Sequence, residues 1–383
     1  MNLKDPPKIE PASVKNILLI RLRRIGDIVM TTPALSILRE NFPDAHISYI
    51  IEERFRELIE GHQDIDETIV ISRHPGRKEI IRHIRHIRKQ RYDIVIDLHG
   101  GPRAFLFTLL SGANLKIGYR IKYKHFFYDI KLPRKPEQGF IHSVENHINM
   151  VKALGISSLT IPPIKLPAAQ PDEKQKINQF FKKNNLYKAS VLTLHIGAGN
   201  RFRDWGLKNL HMLIQLLITD PDTAVILTGA KEDLEYEQKL LQIFQGKSVF
   251  SLVNRLNLRE LKELISRAAL FIGPDSGPMH IASSTSTPIV AYFGPTLPAN
   301  FAPWKAKATI IEKNFDCRPC KQVKCMHKDY RCLQTITPEE VYEACRETRA
   351  RSMSPFSAHF PQKIGGCPAK DKLAICLLFR LGY

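Results

Sequence analysis

The feature that most constrains this chain is a break rich in glycine and proline between two short apolar runs. Residues 270–272 have the character of the end of a buried strand, and residues 289–293 form a second apolar run of strand length. Between them, residues 273–278 (GPDSGP) interrupt all regular structure. The pattern predicts a strand, a loop, a short helix and a second strand, which is a unit of an open α/β sheet.

The side chains of this loop indicate a chemistry. Pro278 suits the first turn of a helix, with Asp275 or Ser276 as its cap. Free N–H groups near Gly277 would then favour an anion, and His280 would add a donor for a phosphate group. An ordinary strand–helix turn with a capping aspartate fits the same spacing, so the residues alone leave both interpretations open.

The rest of the chain repeats the alternation of strands and helices. Residues 16–21, 45–51 and 92–98 are predicted strands in the first half, and residues 189–195 and 224–229 in the second. Such alternation predicts doubly wound parallel sheets. A chain of 383 residues can hold two domains of this kind.

Composition limits the classes of binding partner and the cell compartment that are expected for this chain. The formal charge of +19 predicts anionic partners, such as nucleic acid, an anionic membrane surface or a phosphorylated substrate. No apolar run approaches ~18 residues, so no transmembrane helix is expected. The polar N-terminus lacks the apolar centre of a signal peptide, and seven cysteines do not suggest a disulfide framework. We therefore expect a cytoplasmic protein.

Asp27 follows the first predicted strand, at the carboxyl edge of the sheet. The turn contains Gly26 but neither G-x-G-x-x-G nor a P-loop, so dinucleotide and ATP binding are not supported there. An aspartate at this position is most often a helix cap. A carboxylate held in a cleft as a general base is the functional alternative.

Two motifs carry a resemblance to a known family. Gly26-Asp27 with the following residues 31–35 (TTPAL), and residues 275–280 (DSGPMH) with the turn at residues 293–296, resemble motifs of the heptosyltransferases, glycosyltransferase family 9. The resemblance implies the GT-B architecture, an α/β fold in which two Rossmann-like, doubly wound domains face a cleft. It also implies that Asp27 is the catalytic base.

The resemblance also assigns roles in the second half. It implies that Arg203, two residues before a tryptophan, contacts the donor diphosphate, and that Asp233 or Glu232 holds the ribose hydroxyls. Either acid could instead stabilise the N-terminus of the next helix. The residues expected to bind substrate are Arg203, Glu232, Asp233, Asp275, Ser276, Gly277, Pro278 and His280. No Asp-x-Asp pair points to a cation for the diphosphate, so no cofactor is expected to be required.

Four clustered cysteines follow this region. Cys317, Cys320, Cys325 and Cys332 include a C-x-x-C pair and have metal-ligand spacing. The gaps are short for a zinc ribbon, and an iron–sulfur cluster fits no better. We interpret the group as a candidate structural knuckle and predict no catalytic metal.

Two basic segments and a histidine complete the candidates in the first half. Residues 76–91 form a strongly basic helix with an isoleucine stripe, which predicts a solvated helix that is also attracted to an anionic membrane surface. Residues 116–125 are basic and aromatic, and suit either a phosphorylated acceptor or a loop. Neither segment has the spacing of a nucleic-acid-binding module. His142, at the start of a predicted helix, is a further candidate on the acceptor side.

Proline density and composition set the expected boundaries. Four prolines in residues 160–171 predict a semi-rigid connector. The expected order is a flexible leader (1–14), an acceptor-binding Rossmann-like domain (15–160), a proline-rich linker (161–172), a nucleotide-sugar-binding Rossmann-like domain (173–350) and a tail (351–383).

The resemblance implies an inverting glycosyltransferase that moves heptose from ADP-heptose to the lipopolysaccharide inner core. Such an enzyme would act as a peripheral protein on the cytoplasmic face of the inner membrane. Two alternatives stay open: a GT-B transferase that uses another nucleotide sugar, and a non-catalytic basic protein that binds nucleic acid or membrane. The charge excess alone explains none of the motifs at strand ends, which favours the transferase.

Overall fold

The computed structural model describes residues 9–121, 125–134, 139–156, 158 and 160–353. Within them the strands form two six-stranded sheets, and all pairings in both sheets are parallel. The first sheet has the order β3-β2-β1-β4-β5-β6 and contains β1 (Asn16–Ile20), β2 (His46–Glu52), β3 (Glu67–Ile71), β4 (Ile94–Asp97), β5 (Leu115–Tyr119) and β6 (Ile130–Leu132). The second has the order β12-β11-β10-β7-β8-β9 and contains β7 (Ser190–His195), β8 (Thr223–Thr228), β9 (Val249–Ser251), β10 (Leu270–Pro274), β11 (Ile289–Phe293) and β12 (Ala308–Glu312).

Helices connect the strands on both faces of each sheet. In chain order they are α1 (Ile25–Val29), α2 (Thr32–Asn41), α3 (Arg77–Lys89), α4 (Pro102–Leu110), α5 (Ser143–Lys152), α6 (Pro171–Lys183), α7 (Leu207–Leu217), α8 (Leu234–Ile243), α9 (Leu258–Ser266), α10 (Gly277–Ala282), α11 (Pro298–Phe301), α12 (Arg331–Gln334) and α13 (Pro338–Met353). Capping residues define several starts: Asn257 caps α9 by accepting from Glu260 N at 2.8 Å. Short 3-10 helices are formed by residues 125–127, 201–203 and 231–233.

The two sheets repeat one topology. Their strand orders are identical once the second set is counted from β7, and both match the doubly wound order 3-2-1-4-5-6. The order reverses between β1 and β4 in the first sheet and between β7 and β10 in the second. Ligands of such sheets lie outside the carboxyl ends of the strands at this reversal. The loops after β1, β4, β7 and β10 are therefore the places where a site is expected.

The first sheet is buried on both faces, and its central strands are accordingly near-continuous apolar runs. Along β1, Ile17 and Leu19 belong to one apolar cluster, whereas Leu18 and Ile20 belong to another on the opposite face. The first cluster continues beyond its own half of the molecule to Met279 and other side chains of the second half. The halves that carry the two sheets thus share an apolar seam.

The fold class predicted from the sequence is confirmed, and local differences have clear reasons. The seven predicted strands are present, but five others, β3, β5, β6, β9 and β12, were not predicted. The sequence of β3 (ETIVI), for example, is short and only partly buried. Part of the basic segment 116–125 is strand β5, buried at its end, and Lys122–Lys124 lie outside the described residues.

The predicted boundaries can be compared with the described residues. Residues 161–170 of the predicted connector contain neither helix nor strand, and α6 begins at Pro171, before the predicted end of the connector at residue 172. The domain boundaries stay a prediction. The described end of the predicted leader, residues 9–14, includes a 3-10 turn, and Val14 packs into the core. Residues 1–8, together with residues 354–383 of the predicted tail, lie outside the described part. Among the described helices, none combines the length and the apolar character needed to cross a membrane.

Candidate functional site

The two halves meet at the helices that follow β1 and β10. A methyl group on Gly26 would lie 2.6 Å from His280 Cδ2, and one on Gly277 would lie 2.7 Å from Ile25 Cβ. Both glycines therefore allow a backbone approach that any side chain would block. The contact brings Asp27, at the carboxyl edge of the first sheet, next to the loop after β10 in the second.

Asp27 is held by a buried cation. Arg21 Nη2 lies 2.7 Å from Asp27 Oδ2, and the Arg21 side chain is 3% exposed while that of Asp27 is 34% exposed. Arg21 Nη1 also donates to the carbonyl of Leu98. Burial by itself would raise the pKa of Asp27, but the charge and hydrogen bond of Arg21 outweigh burial and hold that pKa below its ordinary value. The carboxylate is thus ionised and fixed in orientation at neutral pH.

The turn that positions Arg21 is itself anchored by a buried carboxyl group. Asp97 accepts from His99 N at 2.9 Å, from Gly100 N at 2.7 Å and from the Tyr128 hydroxyl at 2.6 Å. Complete burial raises the pKa of Asp97, and these hydrogen bonds offset part of that effect. The Tyr128 ring lies against Gly118, where a methyl group would come within 2.4 Å of it.

Neutral histidines and a further cation surround this edge. Burial lowers the pKa of His99 to about 4 and that of His147 to about 3, so neither carries charge at neutral pH. Tyr119 Oη lies 3.2 Å from His147 Nδ1, and the Arg134 guanidinium lies 5.5 Å from the centre of the Tyr119 ring. Sequence reasoning included Tyr119 only as part of the candidate segment 116–125 and missed the others, although Asp97 ends β4 and could have been found from that position.

On the other side of the contact, Arg203 and Asp275 form a pair. Arg203 Nη1 donates to the Asp275 carbonyl at 2.9 Å and lies 3.3 Å from Asp275 Oδ2, while Arg203 Nε donates to Gln322 Oε1 at 3.0 Å. Asp275 is buried and also accepts from the Thr296 hydroxyl at 2.6 Å. Of the two predicted caps of α10, Asp275 and Ser276, Asp275 does not occupy the N-cap position. Its carboxylate orients Arg203, and the Nη2 amino group of Arg203 is not engaged by these contacts.

Ser276 is the N-cap residue of α10, but its side chain makes no capping hydrogen bond. Within the described residues, Ser276 Oγ and His280 Nδ1 are buried and have no hydrogen-bond partner. Burial lowers the pKa of His280 to about 4, so the ring is neutral. Pro278 occupies the first turn of α10 as predicted. Buried polar atoms without partners are rare, and a polar ligand is one explanation.

The two acids predicted to hold ribose differ in environment. Asp233 Oδ2 accepts from Ala230 N at 2.7 Å, and methyl groups on Gly197 and Gly229 would lie 2.0 Å and 2.8 Å from the same oxygen. Asp233 therefore lies at the carboxyl ends of β7 and β8, and burial raises its pKa. Glu232 is exposed. The position favours Asp233 over Glu232, and a ribose contact stays a prediction.

The four cysteines lie beside Arg203 rather than apart from the site. They are free thiols that line a cavity of about 80 Å³ together with Phe202 and Tyr330. In the described part of the chain, no three His, Cys, Asp or Glu side chains are placed to hold a metal ion. The metal interpretation of this knuckle thus has no support here. The loop contributes instead through Gln322, which contacts Arg203 and accepts from Asn200 Nδ2 at 2.8 Å.

His142 connects the two halves. Its Nδ1 accepts from Val144 N at 3.2 Å and caps α5, its Nε2 lies 3.0 Å from the Ala302 carbonyl, and its ring lies 4.6 Å from that of Trp304. Both ring nitrogens are engaged, so His142 offers no free ring nitrogen for the predicted contact with the acceptor substrate. His142 is a contact between the halves.

Solved structures share this architecture. A family 9 glycosyl transferase from Veillonella parvula matches with a TM-score of 0.77 at 24% identity, covering 88% of this chain and 97% of that one. The E. coli ADP-heptose lps heptosyltransferase II matches with a TM-score of 0.74 at 21% identity, covering 88% and 100%. With two doubly wound domains that meet at their carboxyl edges, the protein has the GT-B fold of glycosyltransferases.

The sequence comparisons define the family. The profile described as Glycosyltransferase family 9 (heptosyltransferase) matches residues 80–331. The lipopolysaccharide heptosyltransferase 3 of Escherichia coli is 26% identical over 293 residues, which cover 74% of this chain and 84% of that protein. The chain belongs to glycosyltransferase family 9, the heptosyltransferase family, and is an enzyme of glycosyl transfer.

Proposed function

We propose that the protein transfers a heptose from ADP-heptose to the lipopolysaccharide inner core, with Asp27 as general base and with inversion at the anomeric carbon. The contact between Gly26 and the His280 ring carries the proposal, because it sets the ionised Asp27 beside the loop with unpartnered polar atoms. The names of the relatives, a lipopolysaccharide heptosyltransferase and an ADP-heptose lps heptosyltransferase, support the donor and the acceptor.

Asp27 acts on the acceptor. Its carboxylate takes the proton of an acceptor hydroxyl while that oxygen attacks the anomeric carbon from the face opposite the diphosphate. A new carbon–oxygen bond forms as the bond to the departing ADP breaks, so one displacement inverts the configuration. General base catalysis of this kind contributes roughly 100- to 10,000-fold to the rate.

The second half stabilises the leaving group. Negative charge grows on the diphosphate as ADP departs, and the Nη2 group of Arg203 supplies a charged donor held in place by Asp275. The Ser276 hydroxyl donates to the same group, as does His280 in the tautomer with its proton on Nδ1. Preorganised donors in a water-poor site contribute up to about 3 kcal/mol each.

The acceptor and the charge of the chain support a reaction at a membrane surface. A lipopolysaccharide precursor is anchored in a bilayer, and a chain with a formal charge of +19 is attracted to anionic lipid. We therefore propose a peripheral enzyme at the cytoplasmic face of the inner membrane.

A second candidate is a GT-B transferase with another nucleotide sugar. The groups that the site offers, Arg203, Ser276 and His280, suit a diphosphate and do not select a sugar. Thermal-shift measurements with ADP-heptose, UDP-sugars and GDP-sugars at equal concentration separate the two, because a ligand that binds more tightly to the folded protein raises the melting temperature more. The largest shift with ADP-heptose supports the proposal, and a larger shift with a UDP- or GDP-sugar replaces it.

The catalytic role of Asp27 is tested by Asp27→Asn, with the exposed Asp44→Asn as a matched control. We expect Asp27→Asn to lose roughly 100-fold or more of kcat, in keeping with a lost general base, while ADP still binds. The control should keep wild-type transfer. Transfer by Asp27→Asn within a few-fold of wild type would remove Asp27 from the mechanism.

A further inference from the structure

One face of the first half combines positive charge with exposed aromatic rings. We call it the basic aromatic face and define it by the exposed side chains of α3 together with Phe126 and Phe127. Helices α3 and α4 pack on the same side of the sheet, since Ile87 of α3 and Phe107 of α4 share one apolar cluster with Leu18 and Ile20. The seam to the second half uses the opposite side of the sheet. The face therefore looks away from the other half.

The charge of this face is dense and nearly unopposed. Between residues 72 and 92 the exposed cations are Arg73, Arg77, Lys78, Arg82, Arg85, Arg88, Lys89 and Arg91. The one acidic residue of that segment, Glu79, accepts from Ser72 N at 2.9 Å and lies 3.6 Å from His83 Nε2. Three of the four isoleucines of α3 point the other way: Ile87 is fully buried, and Ile80 and Ile84 pack against the same cluster. The fourth, Ile81, is 47% exposed.

Exposed aromatic rings lie beside α4, the helix that packs next to the charged helix α3. Phe126 is 74% exposed and Phe127 is 51% exposed. The ring of Phe127 is held in place by Phe105 of α4, which it meets edge to face at 5.6 Å between ring centres. The next residue, Tyr128, is hydrogen bonded to Asp97. Large apolar side chains held out in this way, beside Lys and Arg, are typical of surfaces that lie in the headgroup region of a bilayer.

We propose that the basic aromatic face binds an anionic lipid surface, with Phe126 and Phe127 entering the interface and the cations of α3 contacting headgroup phosphates. The proposal rests on the proposed function for its purpose, which is to bring a membrane-borne acceptor to the site. The geometry suits that purpose: α4 begins at Pro102, directly after the turn that Asp97 anchors beside Asp27.

A lipid surface fits the face better than nucleic acid does. Phosphate backbones would satisfy the arginines, but they give no reason for two exposed phenylalanines, one of them supported by Phe105. Insertion into a bilayer removes both rings from water while the cations stay at the phosphate level. The combination of charge with apolar area, rather than charge alone, is what selects the lipid.

The test is co-sedimentation of the full chain with vesicles, compared between phosphatidylcholine alone and phosphatidylcholine with phosphatidylglycerol. The triple variant Arg82→Gln, Arg85→Gln, Arg88→Gln removes charge from the face, and Lys182→Gln, Lys183→Gln, Lys188→Gln removes the same charge from exposed positions of the second half. We expect wild type and the lysine control to bind the phosphatidylglycerol vesicles alike. The arginine variant should bind about tenfold more weakly or worse, since each basic residue near an anionic surface adds to binding.

The aromatic rings need a separate measurement. Phe126→Ser with Phe127→Ser should weaken binding while leaving its dependence on salt, because the charges remain. A Phe126→Trp variant should show a blue shift and quenching by brominated lipid on binding vesicles. No quenching, or an equal loss in the lysine control, overturns the proposal, and so does displacement of the protein from vesicles by duplex DNA with no effect of the phenylalanine variants.

A lipid-free acceptor separates this inference from the proposed function. Transfer of heptose to a delipidated core sugar requires the site but not the face, so the arginine and phenylalanine variants should keep wild-type rates on it. If the wild type transfers nothing to either acceptor but still binds vesicles as described, the proposed function fails and the surface stands. If transfer is normal and the variants bind vesicles like the wild type, the proposal that this face binds lipid is refuted and the proposed function is retained.

Discussion

Replacing Arg21 by methionine tests how the site keeps Asp27 ready to accept a proton. Methionine has a similar length and keeps the apolar stem, but it loses the 2.7 Å contact between Nη2 and Asp27 Oδ2 and the donor to the Leu98 carbonyl. Arg21→Lys keeps a charge at the same place without the fork of the guanidinium. The two variants together separate the charge from its geometry.

The expected magnitude follows from the exposure of the two partners. Exposed ion pairs contribute about 0–1 kcal/mol, and truncating one member of a buried pair costs about 3–5 kcal/mol. Arg21 is 3% exposed and Asp27 34% exposed, so solvent screens one side of this pair. We expect Arg21→Met to lower the free energy of unfolding by about 2 kcal/mol, an intermediate value. The melting temperature should fall by about 4–8 °C.

The pH dependence has a definite sign. The pKa of Asp27 in the folded protein is held below its ordinary value, so the contribution of the pair is present above the unfolded pKa, at about 4, and is lost as the pH falls through the folded pKa. The difference in melting temperature between wild type and Arg21→Met should therefore be largest at neutral pH and shrink on acidification. In the variant, burial is opposed only by the weaker influence of His147 and Arg134, so the pKa of Asp27 rises and the acid limb of kcat should move to higher pH.

Thermal unfolding across pH and steady-state transfer across pH measure the two effects. Arg21→Lys should keep the acid limb near its wild-type position and recover part of the stability. The reasoning is refuted if Arg21→Met retains the wild-type acid limb with a lowered kcat, since Arg21 would then act on geometry without setting the ionisation of Asp27. A melting temperature equal to wild type at neutral pH would refute the stability argument.

Three further substitutions probe other parts of the site. Arg203→Gln removes a charged donor from the diphosphate side and should raise the KM for the donor sugar by roughly 10- to 100-fold in steady-state kinetics. Gly277→Ala places a methyl group 2.7 Å from Ile25 Cβ, so it should push the halves apart and lower kcat about tenfold or more, measured in the same assay. Gly118→Ala places a methyl group 2.4 Å from the Tyr128 ring and should destabilise the fold by about 1–3 kcal/mol in denaturant unfolding.

Each of these changes has a counterpart elsewhere in the chain. Lys208→Gln removes an exposed charge five residues after Arg203 in the sequence and should leave the KM unchanged. Gly76→Ala adds a methyl group where nothing lies within 4 Å and should leave both rate and stability near wild type. Equal effects in a variant and its counterpart would contradict the corresponding argument.

The sequence was informative where polar candidate residues come directly after a predicted strand. The loops after β1 and β10 were located because an apolar run followed by glycine and a polar residue is a local signal, and Asp27 and His280 lie there as predicted. The fold class was accessible for the same reason, since apolar runs of strand length alternate with amphipathic helices over most of the chain. What local signals predict is the edge of the sheet to which a residue belongs.

Contacts between distant residues were not accessible in this way. Asp275 looked like a helix cap because it precedes Gly277 and Pro278, yet it binds Thr296 and Arg203, which lie 21 and 72 positions away. Arg21 sits at the end of an apolar strand and gave no sign that it would be buried against Asp27. Such pairs depend on which strands become neighbours, and the identity of that neighbour is a property of the whole sheet.

The apolar seam between the halves limits how the molecule can admit its substrates. Side chains from β1 and α2 and from α10 around Met279 form one continuous cluster, and pulling the halves straight apart would expose that surface to water. A rotation that keeps the seam packed avoids this cost. The seam therefore favours a turning of one half against the other over their separation when substrates are admitted.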